Sequence, residues 1–437
     1  MAIGAETNVK WVDGLRGLAS VLVVITHIYR QFDDPVFDAS MGENRPMRWD
    51  QWPFMSFAGR GRIGVTIFAF VTGYVCALKP IKLFRAGNQE AAFTSISKSA
   101  VRRFPRLMLP AAAATVVAWV LAELGMYTVL KHSDNYWLAG LAHERVGTFT
   151  GAIYELGWQI CKTWVRRENN YDNNQWTMLE LLQESYKIYI FLFAVAYLKP
   201  KWRMASALLM MLYEWVTKEA VFELLGFYGV FIAEVQVQPS TAAFIEAHHL
   251  ACHLIAAALM FVGLYVGSYP ERHWEWAEWS RNLHDFEAKI LPDDPDFPRF
   301  STGIGLTLIV TAIIIVPRLQ KLLSSKYLLW LGRHSFAVYL LHMQVFKTVW
   351  TWSLYGISIK PDHLNDKGEL EITRLVYPGH TWMFVTMVPV LLLTYTCAYY
   401  WALYVDPYCE RLVNKLMEYV KLDTSKEQTS YLPLRPA

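Results

Sequence analysis

Apolar runs and short charged stretches alternate along this chain from residue 12 to residue 405. A helix needs roughly 20 apolar residues to cross a hydrocarbon core about 30 Å thick. Ten spans are predicted, near residues 12–30, 63–79, 107–130, 185–198, 203–217, 220–237, 247–269, 302–317, 327–350 and 382–405. The fourth and fifth are short, and Lys199, Pro200 and Lys201 between them predict a tight helical hairpin. The expected fold class is all-α: a polytopic membrane helical bundle of about ten transmembrane helices. No internal repeat is evident, and the first apolar run lacks the flanks of a cleaved leader, so it reads as a retained span.

Two connections are long. Residues 131–184 contain a polar stretch from Glu168 to Gln175. In residues 270–301, Trp276, Trp279, Leu283, Phe286 and Ile290 recur at helical spacing, with Glu278, Arg281, Asp285 and Lys289 on the other face. That helix either lies in the membrane interface or packs as a lid on the spans. Residues 1–422 read as one membrane-embedded domain, and 423–437 as a polar, disordered cytosolic tail.

Composition agrees with a membrane protein. The 437 residues are 54% hydrophobic and 18% charged, against about a quarter charged in soluble domains. The 18 Trp, 24 Tyr and 23 Phe suit the membrane–water interface. Charge sets the orientation. From Lys79 to Arg106 the connection carries Lys79, Lys82, Arg85, Lys98, Arg102, Arg103 and Arg106 against Glu90 alone, which places it in the cytosol. Lys199, Lys201 and Arg203 fall on the same side, as do Arg318, Lys321 and Lys326. The alternate connections are mixed or acidic, so an even count puts both termini in the cytosol. A basic connection in a multi-span chain is no argument for nucleic acid. Cys76, Cys161, Cys252, Cys397 and Cys409 are odd in number and scattered, which suggests neither a zinc site nor a disulfide framework. No metal is expected.

Candidate chemistry begins in the first span. Arg16 and His27 are eleven steps apart, which on a helix returns to within about 20° of the same face and about 16 Å further along. Ionisable groups in a membrane usually face a protein interior or a wet cavity. A neutral imidazole there can act as general base; the plain alternative is a histidine bonded to a neighbouring helix. Arg16, beside Asp13, Gly14 and Gly17, can grip a phosphate or carboxylate or simply anchor at the interface. Arg102, Arg103 and Arg106 lead into the third span, where Pro105 suits a helix start and Pro110 lies inside the span. They suit a phosphate-rich cofactor, although the orientation rule alone also accounts for them. Glu180, in the stretch Trp176–Glu180 ahead of the fourth span, is a candidate for orienting a catalytic group or an ordinary solvated acid. Ser335 and His342 share a face of the ninth span, but a membrane serine more commonly bonds its own helix. No Gly-rich nucleotide loop, zinc motif or nucleophile elbow occurs.

Together these motifs resemble the acyltransferase-3 family of integral-membrane acyltransferases. Asp13-Gly-Leu-Arg16-Gly-Leu-Ala19 followed by His27 resembles its first-span signature. Residues 64–74 are similar to its Phe-Phe-x-x-Ser-Gly pattern, with Ala69 for a phenylalanine and Thr72 for the serine. Arg102, Arg103, Arg106 and Pro110 are similar to its third-span basic motif, and Trp176, Thr177 and Glu180 to its Trp-Thr-x-x-Glu element. Leu331 to His342 resembles its late segment, with Phe336 for a tyrosine. Residues 200–300 carry no family motif, and the chain resembles the stand-alone form often seen in fungi. The resemblance implies transfer of an acyl group, often acetyl, from cytosolic acyl-coenzyme A to a hydroxyl of an acceptor: small molecule, lipid or glycan. Arg102, Arg103 and Arg106 would hold the coenzyme A phosphates. Arg16 would position the donor, and His27 would serve as general base or transient acyl carrier. Glu180 and His342 would orient base or acceptor. The competing reading is a secondary transporter that uses the same polar set as a proton relay. A membrane scaffold ranks behind both. The expected location is an endomembrane or the plasma membrane.

Overall fold

A computed structural model describes residues 9–420 apart from 61, 360, 365–367 and 369; the tail predicted over 423–437 lies outside the described residues. Helices dominate, and the described sheet is a two-residue hairpin pairing His363–Leu364 with Leu370–Glu371. Helices of ten residues or more are numbered here: α1 (Lys10–Phe32), α2 (Arg62–Arg85), α3 (Gln89–Glu123), α4 (Phe149–Arg166), α5 (Trp176–Ala194), α6 (Pro200–Val216), α7 (Phe222–Val237), α8 (His249–Val266), α9 (Glu278–Glu287), α10 (Phe297–Ile315), α11 (Lys326–Val345), α12 (His380–Tyr400) and α13 (Asp406–Val420). Each of the ten predicted spans falls on one of these helices. Six are long and apolar enough to cross a membrane: α1, α2, α3, α8, α10 and the continuous α12–α13. Leu250, Leu254 and Phe261 on α8 and Phe384 and Leu392 on α12 are well exposed, an apolar surface that lipid can cover.

Local sequence starts and stops these helices. Pro200 occupies the first position of α6, where its missing N–H costs nothing. Asn88 caps α3 by accepting from Ala91 N, and Asp296 caps α10 by accepting from Arg299 N, each worth about 1 kcal/mol.

α1 and α2 form the centre. α1 packs on α11 and α2; α2 packs on α7, α5, α3 and α10. Close approach depends on glycine. A methyl at Gly14 would lie 1.7 Å from Leu323 O, one at Gly332 2.0 Å from Asp13 O, and one at Gly73 2.1 Å from Gly226 O. Small residues at crossings let membrane helices pack backbone to backbone.

Four expectations need correction. The predicted basic connection Lys79–Arg106 is mostly helix: α2 runs to Arg85, a turn at Gly87 follows, and α3 starts at Gln89. Pro105 therefore sits inside a helix rather than at its start, and at 35 residues α3 far exceeds one bilayer core. α3 ends at Glu123, with Gly125 at φ +77, so residues 124–130 turn away instead of completing the span. α5 begins at Trp176, nine residues before the predicted 185, which puts Glu180 in its opening turns.

The long connections also differ from expectation. Residues 131–184 hold the amphipathic α4, and Asn169, Tyr171, Asp172, Asn174 and Gln175 are buried. Their amides satisfy one another and the spans: Asn169 Nδ2 donates to Thr115 Oγ1 (2.9 Å) and Thr163 Oγ1 (3.0 Å), and Gln175 Nε2 to Ala111 O (3.1 Å). The predicted helix over 270–301 shortens to α9. Leu283 packs beside Tyr269 and Val266, while Phe286 and Ile290 stay exposed. It is a helix packed on α8 and α10 with a protruding apolar edge.

Candidate active site

Arg16 and His27 both reach from α1 to α11. Arg16 Nε donates to Ser335 Oγ (3.1 Å) and Nη2 donates to Gly332 O (2.8 Å), with Asp13 Oδ1 at 3.7 Å. Further along, His27 Nδ1 and His342 Nε2 are 3.0 Å apart. Ser335 also donates to Gly332 O of its own helix (2.9 Å), which fits a structural hydroxyl rather than a nucleophile.

The polarity of the histidine pair follows from its partners. His342 Nδ1 lies 2.8 Å from Val338 O, a pure acceptor, so Nδ1 carries the proton. His342 Nε2 is then an acceptor and takes N–H from His27 Nδ1 and, at 3.4 Å, from Asn174 Nδ2. With its proton on Nδ1, His27 keeps a lone pair on Nε2. The tautomers are assigned from this network. His342 is fully buried and His27 half-buried, stacked near Trp137 with centroids 6.3 Å apart and planes at 17°.

The connection before α5 braces this pair. Tyr339 OH donates to Asn174 O (2.5 Å) and receives Thr177 Oγ1 (2.7 Å). Lys347, buried in the π-helical turn that follows α11, donates to Tyr171 O (3.0 Å). Burial pushes the Asp172 carboxyl up to about 6, against the opposing pull of Lys347 and of the Gln175 amide, whose Nε2 donates to Oδ2 (3.2 Å). Asn174, Tyr339 and Trp137 are site residues that the sequence reading passed over. Asn174 lay within the polar stretch it noted, but composition alone does not distinguish a solvated amide from one folded onto an imidazole.

The remaining candidates are dispersed. Glu180 is ion-paired with Arg167 (2.6 Å), buried rather than solvated, and bonded to neither histidine. The three arginines of α3 split. Arg103 turns inward to Thr72 Oγ1 (3.4 Å), Arg102 bonds Asn414 Oδ1 of α13 (2.9 Å), and Arg106 is exposed. Arg103 and Arg106 are both near enough to act electrostatically on Arg16. A cleft opens beside Arg16, lined by Asp13, Arg16, Tyr74, Lys79 and Lys82 among apolar side chains. Lys79 and Lys82 belonged to the basic connection but were not singled out. A second, narrow apolar pocket lies among Val65, Phe68, Thr177, Leu181, Phe222 and Tyr339.

A helical membrane bundle with a paired-histidine centre and a cationic cleft is suited to group transfer between an anionic donor and a hydroxyl. The acyltransferase-3 family profile, described as an acyltransferase domain, matches residues 9–400. The chain belongs to that family and is an acyltransferase of the membrane. Among curated proteins it is 23% identical to the O-acetyltransferase PaAT-1 of Phomopsis amygdali over 78% of this chain and 73% of that protein. It is 23% identical to acyltransferase R4 of a Phoma species over 80% of this chain and 86% of that protein. It is 22% identical to acyltransferase clz18 of Cochliobolus lunatus over 79% and 86%. Membership favours group transfer over the permease reading.

Proposed function

We propose that the protein is an acyl-coenzyme A-dependent O-acyltransferase that moves an acyl group, acetyl in the first instance, to a hydroxyl of a small molecule, lipid or glycan. The observation that carries the reading is the ordered pair in which His342 fixes His27 with an open Nε2, on the same helix as a cleft-lining Arg16. The acceptor hydroxyl gives its proton to His27 Nε2 while its oxygen bonds the acyl carbonyl carbon. The carbon–sulfur bond breaks, and the thiolate takes the proton back from the imidazolium. Arg16, Lys79 and Lys82 of the cleft attract the donor's phosphates, together with Arg103 and Arg106, whose charges act on Arg16, while Arg102 is held by Asn414 of α13. His342 positions the base, and Glu180 shapes the mouth of α5 through Arg167. The acetyl group is suggested by the Phomopsis relative, an O-acetyltransferase.

The reading includes ten spans with both termini in the cytosol, residues 1–422 as one membrane domain, and an endomembrane or the plasma membrane as location. Relative helix direction supports the count. α1 and α11 run parallel, since Arg16 meets Gly332 and His27 meets His342. α2 and α7 are parallel through Gly73–Gly226 and Arg85–Glu234, whereas α1 and α2 are antiparallel through Trp11–Tyr74 and Val23–Gly64. Spans one and nine, and two and six, share parity in the ten-span count, as their parallel directions require, and loss of any single intervening span would break that agreement.

The test is transfer of labelled acetyl from acetyl-coenzyme A by purified protein to a panel of hydroxyl acceptors. His27→Ala is expected to abolish it; wild-type transfer by that variant rejects the mechanism. A reaction without acceptor, denatured at neutral pH and read at once by intact-protein mass spectrometry, separates the routes: label retained on wild-type protein and absent from His27→Ala identifies an acyl-His27 intermediate, and no retained label favours direct attack.

A further inference from the structure

Where α2 ends and α6 begins, one carboxylate serves two guanidinium groups. Glu234 of α7 accepts from Arg203 Nε through Oε1, and from Arg85 Nε (3.0 Å) and Nη2 (2.7 Å) through Oε2. Arg203 also donates Nη1 to Leu198 O (2.6 Å), and Arg85 donates Nη2 to Gln238 Oε1 (2.6 Å). Glu234 is 1% exposed and Arg203 4% exposed, yet Arg203 Nη2 has no partner among the described residues. Buried charges are normally balanced and buried donors normally bonded. Here two cations share one anion, so a positive charge is left over in a low-dielectric place.

That charge borders a space. Arg85 and Arg203 line an open cleft, together with Lys199, Gln89, Phe84 and Tyr197. No acidic side chain lines it among the described residues. α6 begins at its edge with Pro200, so the positive end of the helix dipole adds to the same field. With Lys199 included, three cations stand against Glu234 and leave two positive charges. A phosphomonoester carries nearly that charge with the opposite sign and offers three acceptor oxygens. The cleft is separate from the one beside Arg16: none of its lining residues is shared with it. Its apolar walls, including Phe84, Leu198 and Val237, also suit the chains of an amphiphile.

We propose that the Arg85–Glu234–Arg203 cluster, with Lys199, is a second anion site that binds a phosphomonoester group, carried either by a membrane lipid headgroup or by a water-soluble phosphate. The site does not depend on the acyl-transfer chemistry, because its readout is binding. The full chain is reconstituted in phosphatidylcholine nanodiscs with or without phosphatidic acid. Inorganic phosphate and glycerol 3-phosphate are titrated into the phosphatidylcholine discs, and melting is followed by tryptophan fluorescence. A rise with phosphatidic acid alone assigns the lipid source, and a rise with the soluble probes assigns the free one. In Lys199→Gln and Arg85→Gln the responding probe is expected to bind about tenfold more weakly, the loss of one charge-assisted hydrogen bond. Lys199 is exposed, so Lys199→Gln keeps the test valid if Arg85→Gln fails to fold. No response to any probe, an undiminished response in Lys199→Gln, or an equal response to phosphatidylserine discs overturns the proposal.

Discussion

Between His27 and His342 the direction of the hydrogen bond is decided by Val338 O, which accepts only. That carbonyl places the proton on His342 Nδ1, and the order passes to His27 without any carboxylate in the bond. Two outcomes follow for single residues. His342→Ala removes the acceptor that orients His27, so kcat should fall about 10²-fold while KM for the donor stays nearly constant. Steady-state kinetics checks this, and a pure KM effect would place His342 in donor binding instead. Arg16→Lys keeps the charge but loses the planar fork that spans Ser335 and Gly332, so KM for acetyl-coenzyme A should rise about tenfold with a smaller change in kcat. Unchanged KM in that variant would remove Arg16 from donor binding.

Pairs of helices hold these residues in register. The α1–α11 contact is set by Gly17 and Gly332 more than by hydrogen bonds, which average about 0.6 kcal/mol each between membrane helices. Gly332→Ala would drive a methyl to 2.0 Å from Asp13 O. Backbone cannot swing aside as a side chain can, so the variant should lose about 1–3 kcal/mol of stability, with transfer activity falling as Arg16 and His27 lose their partners. Differential scanning fluorimetry and an activity assay read both effects; full activity at wild-type stability would contradict the packing argument.

α9 makes a different prediction. Burial raises the Glu287 carboxyl to about 7, while Ser301 Oγ donates to Oε2 (2.6 Å) and Oε1 has no partner among the described residues. A carboxyl raised in the folded state is protonated there while the unfolded chain is ionised. Its stabilising contribution is therefore full below the ordinary glutamate value and lost as pH rises through about 7. Glu287→Gln should flatten the melting temperature between pH 4.5 and 7 and stabilise the protein at pH 8, by at most about 3 kcal/mol. An unchanged pH profile would show that Glu287 does not titrate in that window.

For the protein as a whole, the ten-span reading places the α2–α3 turn and residues 141–147 on opposite sides of the membrane. In a Cys161→Ser background, Ala86→Cys should react with an impermeant maleimide only from the cytosolic side, and Arg145→Cys only from the other. Labelling of both from one side would break the count. The basic ends of α2, α6 and α11 should all lie with Ala86, as the positive-inside bias requires.

The approximate places of the apolar helices could be read from residue order because run length and end signals are local, whereas α4, α13 and the ends of α3 and α5 could not. Apolar run length sets a span, Asn88 or Asp296 caps it, and a proline such as Pro200 opens it. The family could be read as well, since Arg16, His27, Glu180 and His342 sit in short motifs, and the shared face of Arg16 and His27 needs only the geometry of one helix. The inward fold of Asn169–Gln175, the parting of Arg102 from Arg103, the Asn174–His342 contact and the joining of Arg85, Arg203 and Glu234 had no local signature. A polar side chain in water and one satisfied by a distant helix have the same composition. Which partner it meets depends on how whole helices pack, and here glycines at the crossings of α1 with α11 and α2 with α7 make that choice.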